Sequence, residues 1–142
     1  MSEEAIIYPA IAMFGLTFVV MVMLGTARYK AVRNRRVSIR YFRSYNEGEQ
    51  PDRLHLMSRH LQNHFEVPPI FYAAVLFTYV TGSVTVLAVA LAWMFVGLRC
   101  VHSFIHLGSN NVLHRFYVFL ASIACLVGLW GALLVSLLTA GS

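Results

Sequence analysis

Charge is what this sequence has least of. Only 12% of its residues are charged, about half of the roughly 25% found in soluble domains. Hydrophobic residues make up 58%, and the mean hydropathy is +0.66. No water-soluble core of this size needs so much apolar sequence. An internal repeat, a low-complexity tract and a second domain are also missing. Cys100 and Cys125 form no CxxC pair. Both read as core residues inside separate helices, and they say nothing about redox compartment. Basic residues are missing ahead of the first apolar run, where only Glu3 and Glu4 stand. That flank, and the length of the run, argue for a retained helix over a cleaved signal peptide.

What is present is long uncharged sequence. Ile6 to Ala27 covers 22 residues without a charge, Val67 to Leu98 covers 32, and Phe116 to Ser142 covers 27. A spanning helix needs about 20 mainly apolar residues. As one helix the middle run would be roughly 48 Å long at about 1.5 Å per residue, against a hydrocarbon core of about 30 Å. Thr81-Gly82-Ser83 is the natural break. The second helix must then start upstream, and Gly108-Ser109-Asn110-Asn111 makes a further turn. The pattern predicts helices at about 6–27, 55–80, 84–107 and 112–138, with a linker at 28–54. The fold class is all-α: an integral membrane four-helix bundle forming a single domain over 1–142.

The linker carries Arg28, Lys30, Arg33, Arg35, Arg36, Arg40 and Arg43 with no acid among them. The positive-inside rule puts it in the cytoplasm. Both termini and the Gly82 turn then lie on the non-cytoplasmic side, and the Gly108–Asn111 turn on the cytoplasmic side. The expected location is a bacterial inner membrane or its equivalent. The basic run invites nucleic-acid and anionic-lipid readings, but reads first as a topology signal and a solvated loop. As an integral membrane protein the chain is expected to meet membrane lipid and no nucleic acid. Glu47-Gly48-Glu49-Gln50-Pro51 reads as a mobile turn in this loop.

Ionisable residues inside spans are costly and mark function by default. Arg59, Asn63 and Glu66 fall within about 60° of one another on the second helix, and Arg99, His102 and His106 do so on the third. In a hairpin about Gly82 the depths match. Glu66 lies 16 residues before that glycine (82 − 66) and Arg99 17 after it (99 − 82). Asn63 then stands level with His102, and Arg59 with His106. Arg115 reaches the same end from the fourth helix. A buried Glu66–Arg99 pair could simply glue two helices. Six polar groups on two facing stripes go beyond gluing and form a basic pocket suited to a small anionic ligand with carboxylates. His60 and His64 are spaced like metal or haem ligands, but the helical wheel turns them away from this face, and no metal or haem is expected. His55 and His114 sit near the inner interface. Tyr8, Tyr79 and Trp130 suit interfacial or lipid contact.

Arg59-His-Leu-Gln-Asn63-His-Phe-Glu66-Val-Pro-Pro69 resembles the signature of the MAPEG proteins (membrane-associated proteins in eicosanoid and glutathione metabolism). In that family an Arg, an Asn and a Glu stand at this spacing on the second helix, followed by a Pro in the position of Pro69. Arg99, His102 and Arg115 resemble, in type and spacing, later residues of the microsomal glutathione transferase branch. The resemblance covers nearly the whole chain. It implies a homotrimer holding glutathione as co-substrate between neighbouring subunits near the cytoplasmic side. Arg59, Asn63, Glu66, Arg99, His102 and His106 would bind the tripeptide, and Arg115 would stabilise its thiolate. The implied activity is that of a transferase or peroxidase acting on hydrophobic electrophiles or lipid hydroperoxides. The alternative is a non-enzymatic lipid- or small-molecule-binding scaffold on the same fold. His106 stands where glutathione-binding members usually present a Tyr, and the Gly108–Asn111 turn lacks the prolines of the mammalian transferases.

Overall fold

The computed structural model describes residues 2–44 and 51–140. The turn expected at 47–51 therefore lies, but for Pro51, outside the described residues. After a 3-10 turn at Glu3–Ile6 the chain forms α1 (Ile7–Arg33), the one-turn α2 (Tyr41–Ser44), α3 (Asp52–Glu66), α4 (Pro68–Val80), α5 (Val86–Leu107) and α6 (Val112–Ala140). Among the described residues there is no strand. With α3 and α4 abutting at Val67, the architecture is all-helical: four rods and one short connector.

Three stretches are long and apolar enough to cross a membrane: Glu3–Arg33, Val86–Leu107 and Val112–Ala140. Between 22% and 39% of the most apolar window of each is buried inside the protein. The rest, including Phe14, Phe18, Trp93, Phe104, Leu134 and Leu138, faces outward. Such a surface is stable only against lipid or another apolar body. Cys125 lies in the core, but Cys100 is exposed on the outer side of α5, a correction to its expected core position.

Pro68 and Pro69 cause the break between α3 and α4. Neither has an N–H, so the carbonyls of His64 and Phe65 lose their helical donors. The Val67 N–H reaches the Asn63 carbonyl at 3.4 Å, and the Ile70 N–H turns to the Val67 carbonyl at 3.1 Å. Gly82, at φ 65°, closes the turn between α4 and α5 in a conformation open to glycine. Thr85 caps α5 by accepting from the Ala88 N–H at 3.1 Å. Asn111 caps α6, its side-chain oxygen accepting from the N–H groups of Leu113 and His114 at 3.1 and 3.2 Å.

α1 runs on through Arg33, six residues past Ala27. It ends in a two-bond cap: the Arg36 N–H donates to the Ala31 carbonyl at 2.9 Å, and the Arg35 N–H to the Val32 carbonyl at 3.0 Å. Arg35 takes the left-handed conformation, φ 57°, that such caps usually give to glycine.

The interior is layered. One apolar cluster contains Ile6, Met13, Phe71, Ala74, Ala92, Phe95, Leu126 and Leu129, with Phe71 and Phe95 stacked at 4.5 Å. A second, toward the basic end, contains Leu24, Ala31, Val37, Leu54 and Met57. Along α3 and α5 a buried polar layer separates the two: His60, His64, Arg99, His102, Ser103 and His106.

Candidate functional site

On α3 the buried positions are Leu54, Met57, His60 and His64, continued past the break by Val67, Pro68 and Phe71. Their three- and four-residue spacing is one helical stripe, and it faces the interior. Arg59 and Glu66 are exposed and Asn63 is half-buried. The stripe expected to meet α5 thus lies mostly on the outside of the chain's helical bundle, and the histidines expected to point away lie inside. On α3 the reason is the cost of burying charge, since a neutral imidazole enters the interior far more cheaply than an unpaired carboxylate or guanidinium; on α5 that cost is borne by Arg99.

Sequence spacing put Glu66 level with Arg99, but within the chain these two do not join. The Glu66 carboxylate accepts from Gln62 Nε2 at 3.1 Å. The fully buried Arg99 donates through Nη2 to the Asn63 carbonyl at 3.2 Å. Its guanidinium also lies 5.9 Å from the Phe119 ring centroid, within range of a cation–π contact. Arg99 Nε and Nη1 have no hydrogen-bond partner among the described residues. Asn63 therefore does approach α5, through its backbone. Its carbonyl can take a side-chain donor because the proline break leaves it only the long 3.4 Å bond from Val67.

Four imidazoles surround this arginine. His60 lies 4.9 Å from His64, 4.8 Å from His106 and 6.0 Å from His102, between ring centroids. Thr17 gives its own hydroxyl hydrogen to the Met13 carbonyl, so it accepts from His64 Nδ1 at 3.1 Å. The Arg115 carbonyl can only accept, so His102 Nδ1 is the donor at 3.2 Å. That fixes its tautomer and leaves His102 Nε2 as an unpartnered acceptor. Both nitrogens of His60 are unpartnered as well. Among the described residues no three His, Cys, Asp or Glu side chains are disposed to hold a metal ion.

Arg115, at the first turn of α6, is half-buried. Its Nη1 donates to Asn110 Oδ1 at 2.8 Å and lies 3.3 Å from His106 Nε2. Asn110 holds this position through a left-handed backbone, φ 50°, in the turn between α5 and α6. Gly108 makes the turn possible: a Cβ there would stand 2.8 Å from the Phe104 carbonyl oxygen. Beside the turn is an open cavity of about 560 Å³, lined by Asp52, His55, Arg59 and Asn110 among others.

Of the seven residues singled out from sequence, the fold brings Arg99, His102, His106 and Arg115 into one cluster. Asn63 touches it by its backbone, Arg59 lines the neighbouring cavity, and Glu66 stays outside. His60, His64 and Ser103 complete the cluster and were missed. Their signal was the stripe of uncharged residues at three- and four-residue spacing from Leu54 to Phe71.

No match was found among curated proteins or among solved structures. A family model does match, over residues 6–135, and its family comprises glutathione transferases, peroxidases and leukotriene/prostaglandin synthases. With its apolar helices and this match over nearly its whole length, the chain is a membrane protein that belongs to the MAPEG family.

Proposed function

We propose that this protein is a glutathione-dependent transferase or peroxidase acting on hydrophobic substrates, working as a homotrimer. The observation that carries the reading is Arg115. Its guanidinium is held at 2.8 Å by Asn110, a residue that also lines the cavity shared with Arg59. A free thiol has a pKa of about 8.5 and reacts as the thiolate. A fixed guanidinium beside the sulfur favours the anion and stays charged throughout the physiological range. The thiolate then attacks an electrophilic carbon, forming the C–S bond as the leaving group departs. With a lipid hydroperoxide, two glutathiones become the disulfide while the hydroperoxide becomes an alcohol and water. The hydrophobic substrate arrives through the bilayer, and no side-chain nucleophile is required.

The trimer accounts for the outer stripe of α3. Arg59 and Glu66 are exposed, with Gln62 between them. A neighbouring subunit over this stripe would complete a site for the carboxylates and ammonium of the tripeptide, drawing on Arg59, Asn63 and Glu66, with Arg99, His102 and His106 behind. Four spans with both termini on the non-cytoplasmic side follow from the basic 28–43 segment. Native mass spectrometry from detergent tests the assembly, and only monomers or dimers would refute it.

One observation favours a non-enzymatic binding protein on the same fold. His106 Nε2 sits 3.3 Å from Arg115 Nη1 and so engages the guanidinium that a thiol would need. Glutathione binding to detergent-purified protein, with thiolate absorbance followed against pH, separates the readings. Arg115→Ala is expected to leave binding nearly intact, raise the pKa of the bound thiol and slow conjugation of a hydrophobic electrophile. Arg115→Lys recovers part of the loss, since charge survives without the planar fork. Wild-type behaviour of Arg115→Ala in both assays would favour the binding protein.

A further inference from the structure

A second cavity, of about 460 Å³, lies between the last turns of α1 and the start of α3. Its walls have two chemistries. Met23, Ala27 and Met57 form an apolar part, while Lys30, Arg36 and Arg53 bring three positive charges. No acid is among its described lining residues. Met23, Ala27 and Lys30 lie on one face of α1 at four- and three-residue spacing. The seven steps along the helix from Met23 to Lys30 climb about 10 Å at about 1.5 Å each. The lower part of the cavity thus borders an apolar spanning stretch and the upper part its charged end. Arg36 belongs to the cavity because the chain reverses at Arg35: the left-handed residue and the Arg36-to-Ala31 bond fold the basic segment back over the helix end.

We infer that this cavity is a binding site for an anionic phospholipid, the phosphate lying among Lys30, Arg36 and Arg53 and the start of an acyl chain along Met23, Ala27 and Met57. A basic recess between helices at the cytoplasmic surface attracts anionic headgroups. What distinguishes this one from a merely basic surface is the apolar wall continuous with the charges. Free phosphate could satisfy the charges alone, and only a lipid also uses the wall. The site shares Arg53 with the Arg59-lined cavity but is otherwise built from different residues, and it does not depend on glutathione chemistry.

The test is native mass spectrometry of the full-length protein in detergent, titrated with phosphatidylglycerol or phosphatidylcholine. Phosphatidylglycerol is expected to bind about tenfold more tightly. The pair Lys30→Gln and Arg36→Gln should weaken it by about tenfold, whereas Arg33→Gln with Arg40→Gln removes equal charge outside the cavity and should change it by less than about twofold. Ala27→Phe fills the apolar wall at constant charge and should also weaken the lipid, with folding checked by circular dichroism. Equal affinity for the two lipids, equal loss from the two charge pairs, or full affinity in Ala27→Phe would each overturn the inference. Displacement of the lipid by inorganic phosphate at matched concentration would make this a phosphate site and overturn it equally.

Discussion

His60 has no solvent exposure, its ring contacts three other imidazoles, and neither of its nitrogens has a partner among the described residues. Leaving a buried polar group unsatisfied costs about 1–3 kcal/mol. An apolar ring in its place removes that cost, so His60→Phe is expected to hold or raise the thermal midpoint in detergent. His64→Phe breaks the bond to Thr17 and is expected to lose about 1 kcal/mol. A fall in midpoint for His60→Phe would mean that internal water already satisfies the ring. The histidines also mark where sequence reasoning stopped. Counting along a hairpin about Gly82 set Glu66 level with Arg99, whereas Arg99 meets the Asn63 carbonyl instead. The facing of α3 did not, because the charged stripe of Arg59 and Glu66 looks like a pocket lining on a helical wheel. Only the energetics of burial separate an inward stripe of neutral imidazoles from an outward stripe of full charges.

At the level of helices, long uncharged runs and glycine punctuation reveal where rods form, and the Gly108–Asn111 turn marks where α6 begins. The end of α1 was not legible, because an arginine in a left-handed conformation leaves no trace in composition. That conformation costs an L-residue roughly 1–2 kcal/mol. Arg35→Gly is therefore expected to raise unfolding stability by up to about 1 kcal/mol, after the added chain entropy of glycine is subtracted. Arg33→Gly, one residue type placed instead in the helical last turn, should lower it by a similar amount. Equal effects from both changes in a thermal melt would show that charge, and not backbone conformation, sets the response. The turn after α5 behaves oppositely. Gly108→Ala forces its Cβ against the Phe104 carbonyl oxygen and is expected to cost about 1–3 kcal/mol, loosening the turn that holds Arg115.

For the molecule as a whole, the buried Arg99 and the exposed Glu66 stand on opposite sides of the α3 surface. If a neighbouring subunit and a shared ligand connect them, Glu66→Gln and Arg99→Gln should be non-additive by about 0.5–3 kcal/mol in the assembled protein. Additivity in denaturant unfolding would sink that connection. The break at Val67 has another consequence, for how the chain enters the membrane at all. α4 has 13 residues, about 20 Å of helix at about 1.5 Å per residue, and α3 ahead of it brings Asp52, Arg53, Arg59 and Glu66. A translocon weighing this segment alone meets several groups that each cost about 2.5–3.5 kcal/mol at mid-membrane. The strongly apolar α5 follows after a short turn. The two should therefore partition together, as a helical hairpin released sideways in one step. In a host-protein insertion assay, 52–80 alone should integrate poorly and 52–107 efficiently; efficient integration of 52–80 alone would show that α4 needs no escort.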